Sequence, residues 1–227
     1  MEMYAFGCSF TDGVGLQNNK TEAYPILLGK KLGLNVYNMG SAGQSNDYIF
    51  RNVFAHLKTH IKKDDIILIQ WTHYIRKEIP IQYNNRNLYL VAPNCFNALQ
   101  TGTADSLSKN CVGQYVNQNL ESDNEEIKKE YKDFYNEYIL KALHEEYQIT
   151  TTENYINSLY TYLEHNGYKH IHFFGWDSCK EPFNFYFNKI LEDTFGGYTN
   201  TKNNDHPDKI GHENWANYLE DKIKKML

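Results

Sequence analysis

Apolar positions in this chain follow two rhythms, short unbroken runs and longer stretches with helical spacing, and the two alternate. Met3 to Phe6 is apolar and aromatic and stops at Gly7, which predicts a short buried strand. Tyr24, Leu27, Leu28 and Leu32 then fall on one face of a helix that ends at Gly33. A second apolar run, Leu34 to Tyr37, is followed by a helix capped by Ser45, with Ile49, Val53 and Leu57 turned inward. A third strand is expected from Asp65 to Gln70. Further on, Ile127, Tyr131, Phe134, Tyr138 and Ala142 repeat at helical spacing from near Ser122, and Ile156, Leu159, Tyr160 and Leu163 do so from near Thr152 to Gly167. His170 to Gly175 reads as a fourth strand, and a last helix buries Trp215, Leu219, Ile223 and Met226. Strands alternating with helices pack as a parallel sheet covered on both faces, so the expected fold is α/β, a doubly wound sheet in three layers.

One stretch breaks the alternation. Residues Ile79 to Glu121 are rich in Asn, Gln, Ser and Thr and hold no sustained period, except that Asn87 to Val91 suits a short extra strand. Long irregular segments in compact domains are usually functional loops or locally disordered. Because this insertion (79–121) follows strand three, it is expected over the rim of strand ends. There it would serve as a lid or wall of a site, or else as a surface loop or a contact between copies. No linker, repeat or low-complexity tail divides the chain, and 1–227 is read as one domain.

The first strand runs directly into Gly7-Cys8-Ser9-Phe10-Thr11-Asp12-Gly13. Ligands of open parallel sheets bind beyond the carboxyl ends of the strands, and Ser9 stands on that rim. Its hydroxyl there could attack an acyl carbon, with its own backbone N–H available to the oxyanion. A serine after a strand also serves as a turn residue or helix cap, so this block does not decide the matter alone. Two further blocks bear on it. Asn38-Met39-Gly40-Ser41-Ala42-Gly43-Gln44-Ser45-Asn46 follows the second strand, and Asn203-Asn204-Asp205-His206-Pro207-Asp208 precedes the last helix.

In this order the three blocks resemble the SGNH (GDSL-like) hydrolase family across nearly the whole chain. The resemblance implies a flavodoxin-like sheet of the SGNH-hydrolase type with a long insertion after strand three. It also implies Ser9 as nucleophile, Gly43 as oxyanion glycine beside the Ser9 N–H, and His206 as general base. Two positions depart from the family pattern. The family's third block supplies an oxyanion asparagine after strand three, where this chain has Trp71-Thr72-His73-Tyr74-Ile75-Arg76; Thr72, His73 or Tyr74 could donate instead, Thr72 or His73 above all. The family's aspartate stands three residues before the histidine, where this chain has Asn203. Asp205 is then the candidate to orient His206, with a backbone carbonyl as the alternative. Asp208 reads as the N-cap of the last helix, and Asp177 is a fallback acid.

His212 is a rival base, expected in the first turn of the last helix. Trp71, Tyr74, Arg76 and Trp176 follow strands and are candidate substrate contacts, or else cover the strand ends. Cys8, Cys95, Cys111 and Cys179 share no paired spacing and are expected as reduced thiols, with Cys8 facing away from Ser9 into the sheet packing. A net charge of −5 with both signs interspersed offers no footprint for nucleic acid. No apolar run reaches membrane-spanning length and no leader precedes the first strand, so a cytoplasmic or virion-associated location is expected. No metal signature is present, and the chemistry needs neither metal nor organic cofactor.

The resemblance therefore implies a serine ester hydrolase working through an acyl-enzyme on a small-molecule or carbohydrate ester, an O-acetyl group on a sugar above all. Two alternatives stay open. One is an acyltransferase on the same Ser-His site, and the other is a non-catalytic binding or structural domain that keeps the fold.

Overall fold

A strand that is apolar at every position must be covered on both faces and paired on both edges, and the first apolar run meets that demand. In the computed structural model, which describes residues 1–74, 76–83, 86–92, 145–183, 187–198 and 206–225, β1 (Glu2–Gly7) lies inside a parallel sheet. β2 (Asn35–Gly40) pairs with one edge of β1 and β3 (Ile66–Trp71) with the other, in the order β2-β1-β3-β6, where β6 is Lys169–Phe174. All three pairings are parallel, with Gly7 opposite Gly40, Phe6 opposite Ile69 and Trp71 opposite Phe174. The expected α/β three-layer fold is observed, and its strands end on one rim.

Alternate residues of each strand divide the core in two. Tyr4, Phe6, Ile67, Ile69 and Trp71 pack under Ile49, Val53 and Leu57 of α4 (Asn46–Leu57) and under Ile156, Leu159 and Leu163 of α5 (Glu145–His165). On the other face, Met3, Ala5, Ile66, Leu68, Ile171 and Phe173 meet Tyr24 and Leu28 of α3 (Tyr24–Leu32) and Trp215, Leu219 and Ile223 of α7 (Lys209–Lys224). The caps fall where the residue types require. The Ser45 hydroxyl accepts from the Tyr48 N–H, Asp208 accepts from the Gly211 N–H, and Gly33 closes α3. Three short α-helices, α1 (Ser9–Asp12), α2 (Asn19–Glu22) and α6 (Asp177–Lys180), and a 3-10 turn at Phe195–Tyr198 complete the described helices.

The elements differ from the sequence expectation in three places. β2 continues past Tyr37 to Gly40, because pairing with Ala5, Phe6 and Gly7 extends it beyond its apolar run. Residues 79–83 belong to β4 (Lys77–Tyr83), which forms an antiparallel hairpin with β5 (Arg86–Ala92); β5 contains the expected short strand. α5 is already helical at Glu145, ahead of the start expected near Thr152, whose buried side chain sits inside the helix. The helix expected from Ser122, the insertion beyond residue 92 with Cys95 and Cys111, and Met226 lie outside the described residues. Among the described residues no helix is long and apolar enough to cross a membrane.

Three histidines, His170, His172 and His212, are wholly enclosed in this scaffold. His212 of α7 accepts the Tyr24 N–H through Nδ1 at 3.0 Å, so one helix's imidazole caps the start of another. On β6, His170 donates from Nε2 to Glu164 at 2.8 Å, and His172 Nδ1 accepts from the Trp71 indole at 3.1 Å. Burial, aided by the Lys189 charge against Glu164, pushes His170 down to about 4. Burial, aided by His206 against Asp208, pushes His212 down to about 4 as well. Burial, with His170 and Lys189 adding, holds His172 well below its ordinary value. These imidazoles are thus neutral in the fold and take up protons more readily once unfolded. Their contribution is complete above the unfolded pKa of 6.5 and is lost as the pH falls toward about 4. The urea midpoint should therefore hold steady from pH 8 to 7 and fall steadily between pH 6.5 and 4. A flat midpoint across that window would contradict the buried neutral histidines.

Candidate active site

The rim of strand ends gathers most of the described candidates. β1 closes at Gly7, and Ser9 opens α1 directly behind it, buried at 5% exposure. The turn after β2 is fastened to this segment at several points. Asn38 Nδ2 donates to the Thr11 carbonyl at 2.8 Å, the Ser41 N–H to the Gly7 carbonyl at 3.2 Å, and the Ala42 N–H to the Asp12 carboxylate. Within that turn Gly43 takes φ 74°, a left-handed conformation suited to glycine. Burial raises Asp12 above its ordinary value, against the bonds from Asn19 and Ala42.

His206 reaches the same place from the other end of the chain. It precedes α7, is exposed, and its ring meets Phe10, the residue after Ser9, with centroids 5.6 Å apart. Phe10 also contacts Trp176 at 4.9 Å and Phe195 at 5.6 Å. The Arg76 guanidinium lies over the Trp176 ring at 5.2 Å, and both side chains are half-buried. The Ser9 hydroxyl is directed to Cys8 Sγ at 3.9 Å rather than to the imidazole. Asp205, the expected orienting acid, lies outside the described residues. Asp177 is exposed and accepts from the Thr194 hydroxyl at 2.7 Å.

Several expectations need correction. Trp71 cannot be a substrate contact: it is fully buried in the helix-covered core, with its indole N–H committed to His172. Tyr74 is likewise buried, edge-on to Phe183. The Thr72 backbone N–H is taken and cannot serve an oxyanion. Asn46 holds that backbone from both sides, Oδ1 accepting the Thr72 N–H at 2.9 Å and Nδ2 donating to its carbonyl at 3.0 Å. The Thr72 hydroxyl is buried without a well-formed hydrogen bond. His73 is buried with its ring against Tyr74 at 4.5 Å, and its carbonyl accepts the Arg76 N–H. His212 is no base for Ser9, because its Nδ1 is engaged by Tyr24 inside the core.

Cys8 and Cys179 are free buried thiols, but Cys8 does not turn away from Ser9. Burial alone would push the Cys8 thiol up. The Arg76 charge, the Phe10 N–H, the Gln70 amide at 3.1 Å and Thr72 outweigh that and hold it below its ordinary value. Sequence reasoning missed Asn46, Gln70 and Asp12 as parts of this assembly. Gln70 did carry a signal, as the polar member of the otherwise apolar run Ile66–Trp71.

No protein-family model matches the chain, and the search of curated proteins finds no match. Among solved structures it is similar to a member of the lipolytic protein G-D-S-L family from Veillonella parvula, at 14% identity over 100% of both chains with a TM-score of 0.40. It is also similar to a family 3 carbohydrate esterase from Clostridium thermocellum, at 14% identity over 100% of this chain and 96% of that one, with a TM-score of 0.38. Likenesses this distant assign no activity to its residues.

The Asn46 clamp can be tested directly. Asn46→Ala would strand a buried N–H and a buried carbonyl at the end of β3, each at a cost of about 1–3 kcal/mol. The variant should unfold at a clearly lower urea concentration than the parent. An unchanged midpoint would show that Thr72 does not depend on Asn46.

Proposed function

We propose that the chain is a serine ester hydrolase of the SGNH type, acting through an acyl-enzyme. The observation that carries this reading is the convergence of Ser9, the Gly43 turn and His206, three separate segments, on the carboxyl edge of one parallel sheet. Ser9 would attack the acyl carbon while His206 removes its proton. The Ser9 and Gly43 backbone N–H groups would receive the oxyanion, and His206 would protonate the departing alcohol and then activate water. For this the Ser9 hydroxyl must turn from Cys8 toward the imidazole, as catalytic bonds often tighten only with substrate bound. Trp176 and Arg76, half-buried on the same rim, are the candidates to face the alcohol or acyl portion of the ester. An O-acetylated carbohydrate is the proposed natural substrate; it suits an aromatic face such as Trp176 and otherwise rests on the family resemblance.

Release of p-nitrophenol from p-nitrophenyl acetate, measured for the parent, Ser9→Ala and His206→Ala, tests the mechanism. Both variants should fold and lose about a thousand-fold or more of the parent's rate. Equal rates in all three, or none in a folded parent across several acyl chain lengths, would favour a non-catalytic domain.

A further inference from the structure

We propose that Gln70, at the end of β3, is a positioning residue that holds the serine turn in its reactive geometry; this rests on the reading of Ser9 as the nucleophile. Gln70 is fully buried among apolar neighbours. A primary amide there is costly unless its oxygen and its N–H groups are all matched. The matching comes from the segment around Ser9. The Thr11 hydroxyl donates to Gln70 Oε1 at 2.7 Å, and Nε2 donates to Cys8 Sγ at 3.1 Å and to the Trp71 carbonyl at 3.3 Å.

The direction of this network follows from valence. An amide oxygen only accepts, so Thr11 uses its single hydrogen on Gln70, and the Tyr24 hydroxyl, 3.2 Å away, must donate to Thr11. The chain runs Tyr24 to Thr11 to Gln70 to Cys8. Cys8 precedes Ser9 and Thr11 follows it by two, so one amide grips the turn on both sides of the nucleophile. The Ser9 hydroxyl in turn faces the sulfur that Gln70 holds.

The fold makes room for this side chain and little else. A Cβ on Gly7 would come within 2.7 Å of Gln70 Oε1, and one on Gly175 within 2.6 Å of Nε2. The residues at the end of β1 and just beyond β6 are therefore glycines where the amide passes between them. A four-residue helix such as α1 cannot fix its own geometry, since a single turn is less stable than coil. Gln70 supplies from β3 the restraint that α1 lacks.

The test compares Gln70→Leu, Thr11→Val and the double variant with the parent. Two rates are measured: p-nitrophenyl acetate turnover, and labelling of Ser9 by a fluorophosphonate, located by mass spectrometry. Gln70→Leu should fold, keep KM within about threefold, and lose about ten-fold or more in both kcat and labelling rate. Adding Thr11→Val leaves the buried Tyr24 hydroxyl stranded in place of Thr11's and should recover neither stability nor kcat. Thr11→Val alone cuts one arm and should show a smaller loss in kcat, which keeps the test open if Gln70→Leu does not fold. A folded Gln70→Leu with parental kcat and labelling would overturn the proposal, and so would a double variant that regains kcat together with stability. If the folded parent neither turns over the ester nor labels at Ser9, it is the hydrolase reading that fails. The positioning claim is then read from a crystal structure of Gln70→Leu, where a Cys8–Thr11 turn superposing on the parent's would overturn it.

Discussion

Parallel pairing of β1 with β2 on one edge and β3 on the other is the constraint from which the rest of this structure follows. Parallel strands all end on one side, so every turn that leaves them emerges along a single rim. Register then decides who meets there. Gly7 opposite Gly40 brings the Ser9 segment against the turn that carries Gly43, and the Asn38, Ser41 and Ala42 contacts hold the two together. Shifting β2 by one residue would turn its whole side-chain set over and separate these segments. The candidate chemistry is thus a consequence of strand alignment before it is a property of any one loop.

Beneath the rim, buried polar groups fix what apolar packing leaves free. Hydrophobic layers hold the sheet and helices together, but they do not specify where a hydroxyl points. Here Asn46 clamps the Thr72 backbone, Gln70 joins Cys8 to Thr11, and His212 caps the first turn of α3. Each of these groups would be costly to bury unpaired, so each ties its neighbours into one arrangement. The thiol of Cys8 belongs to the same system: its ionisation is set by the donors that fix the serine turn, together with the Arg76 charge.

The fold was largely legible from local pattern. Met3–Phe6, Ile66–Gln70 and His170–Phe174 could be read as strands because a sheet covered on both faces selects short, mostly apolar runs. The caps at Ser45 and Asp208 were legible because their side chains serve the backbone a few residues on. β4 was not, since the mixed polar run Lys77–Tyr83 becomes a strand through its pairing with β5. In the candidate site, Ser9, Gly43 and His206 could be picked out by motif. Trp71 and Tyr74 were misjudged as substrate contacts because a residue just past a strand end can face the crevice or turn under a helix, and spacing does not distinguish the two.

The sequence by itself determined which segments become most of the strands and helices, and it marked a serine, a glycine turn and a histidine in an order that makes chemical sense. Those properties are written in local periodicity and in residue types that tolerate particular backbone conformations. Only the tertiary structure decided that Asn46 clamps the end of β3, that Gln70 grips the serine turn, and that His212 is a cap rather than a base. It also turned Cys8 toward Ser9, through the amide that Gln70 brings from β3. Asn46 meets Thr72 across 26 positions of chain, Gln70 meets Cys8 across 62, and Tyr24 meets His212 across 188. Such contacts arise from the packing of whole elements, and no local pattern encodes them.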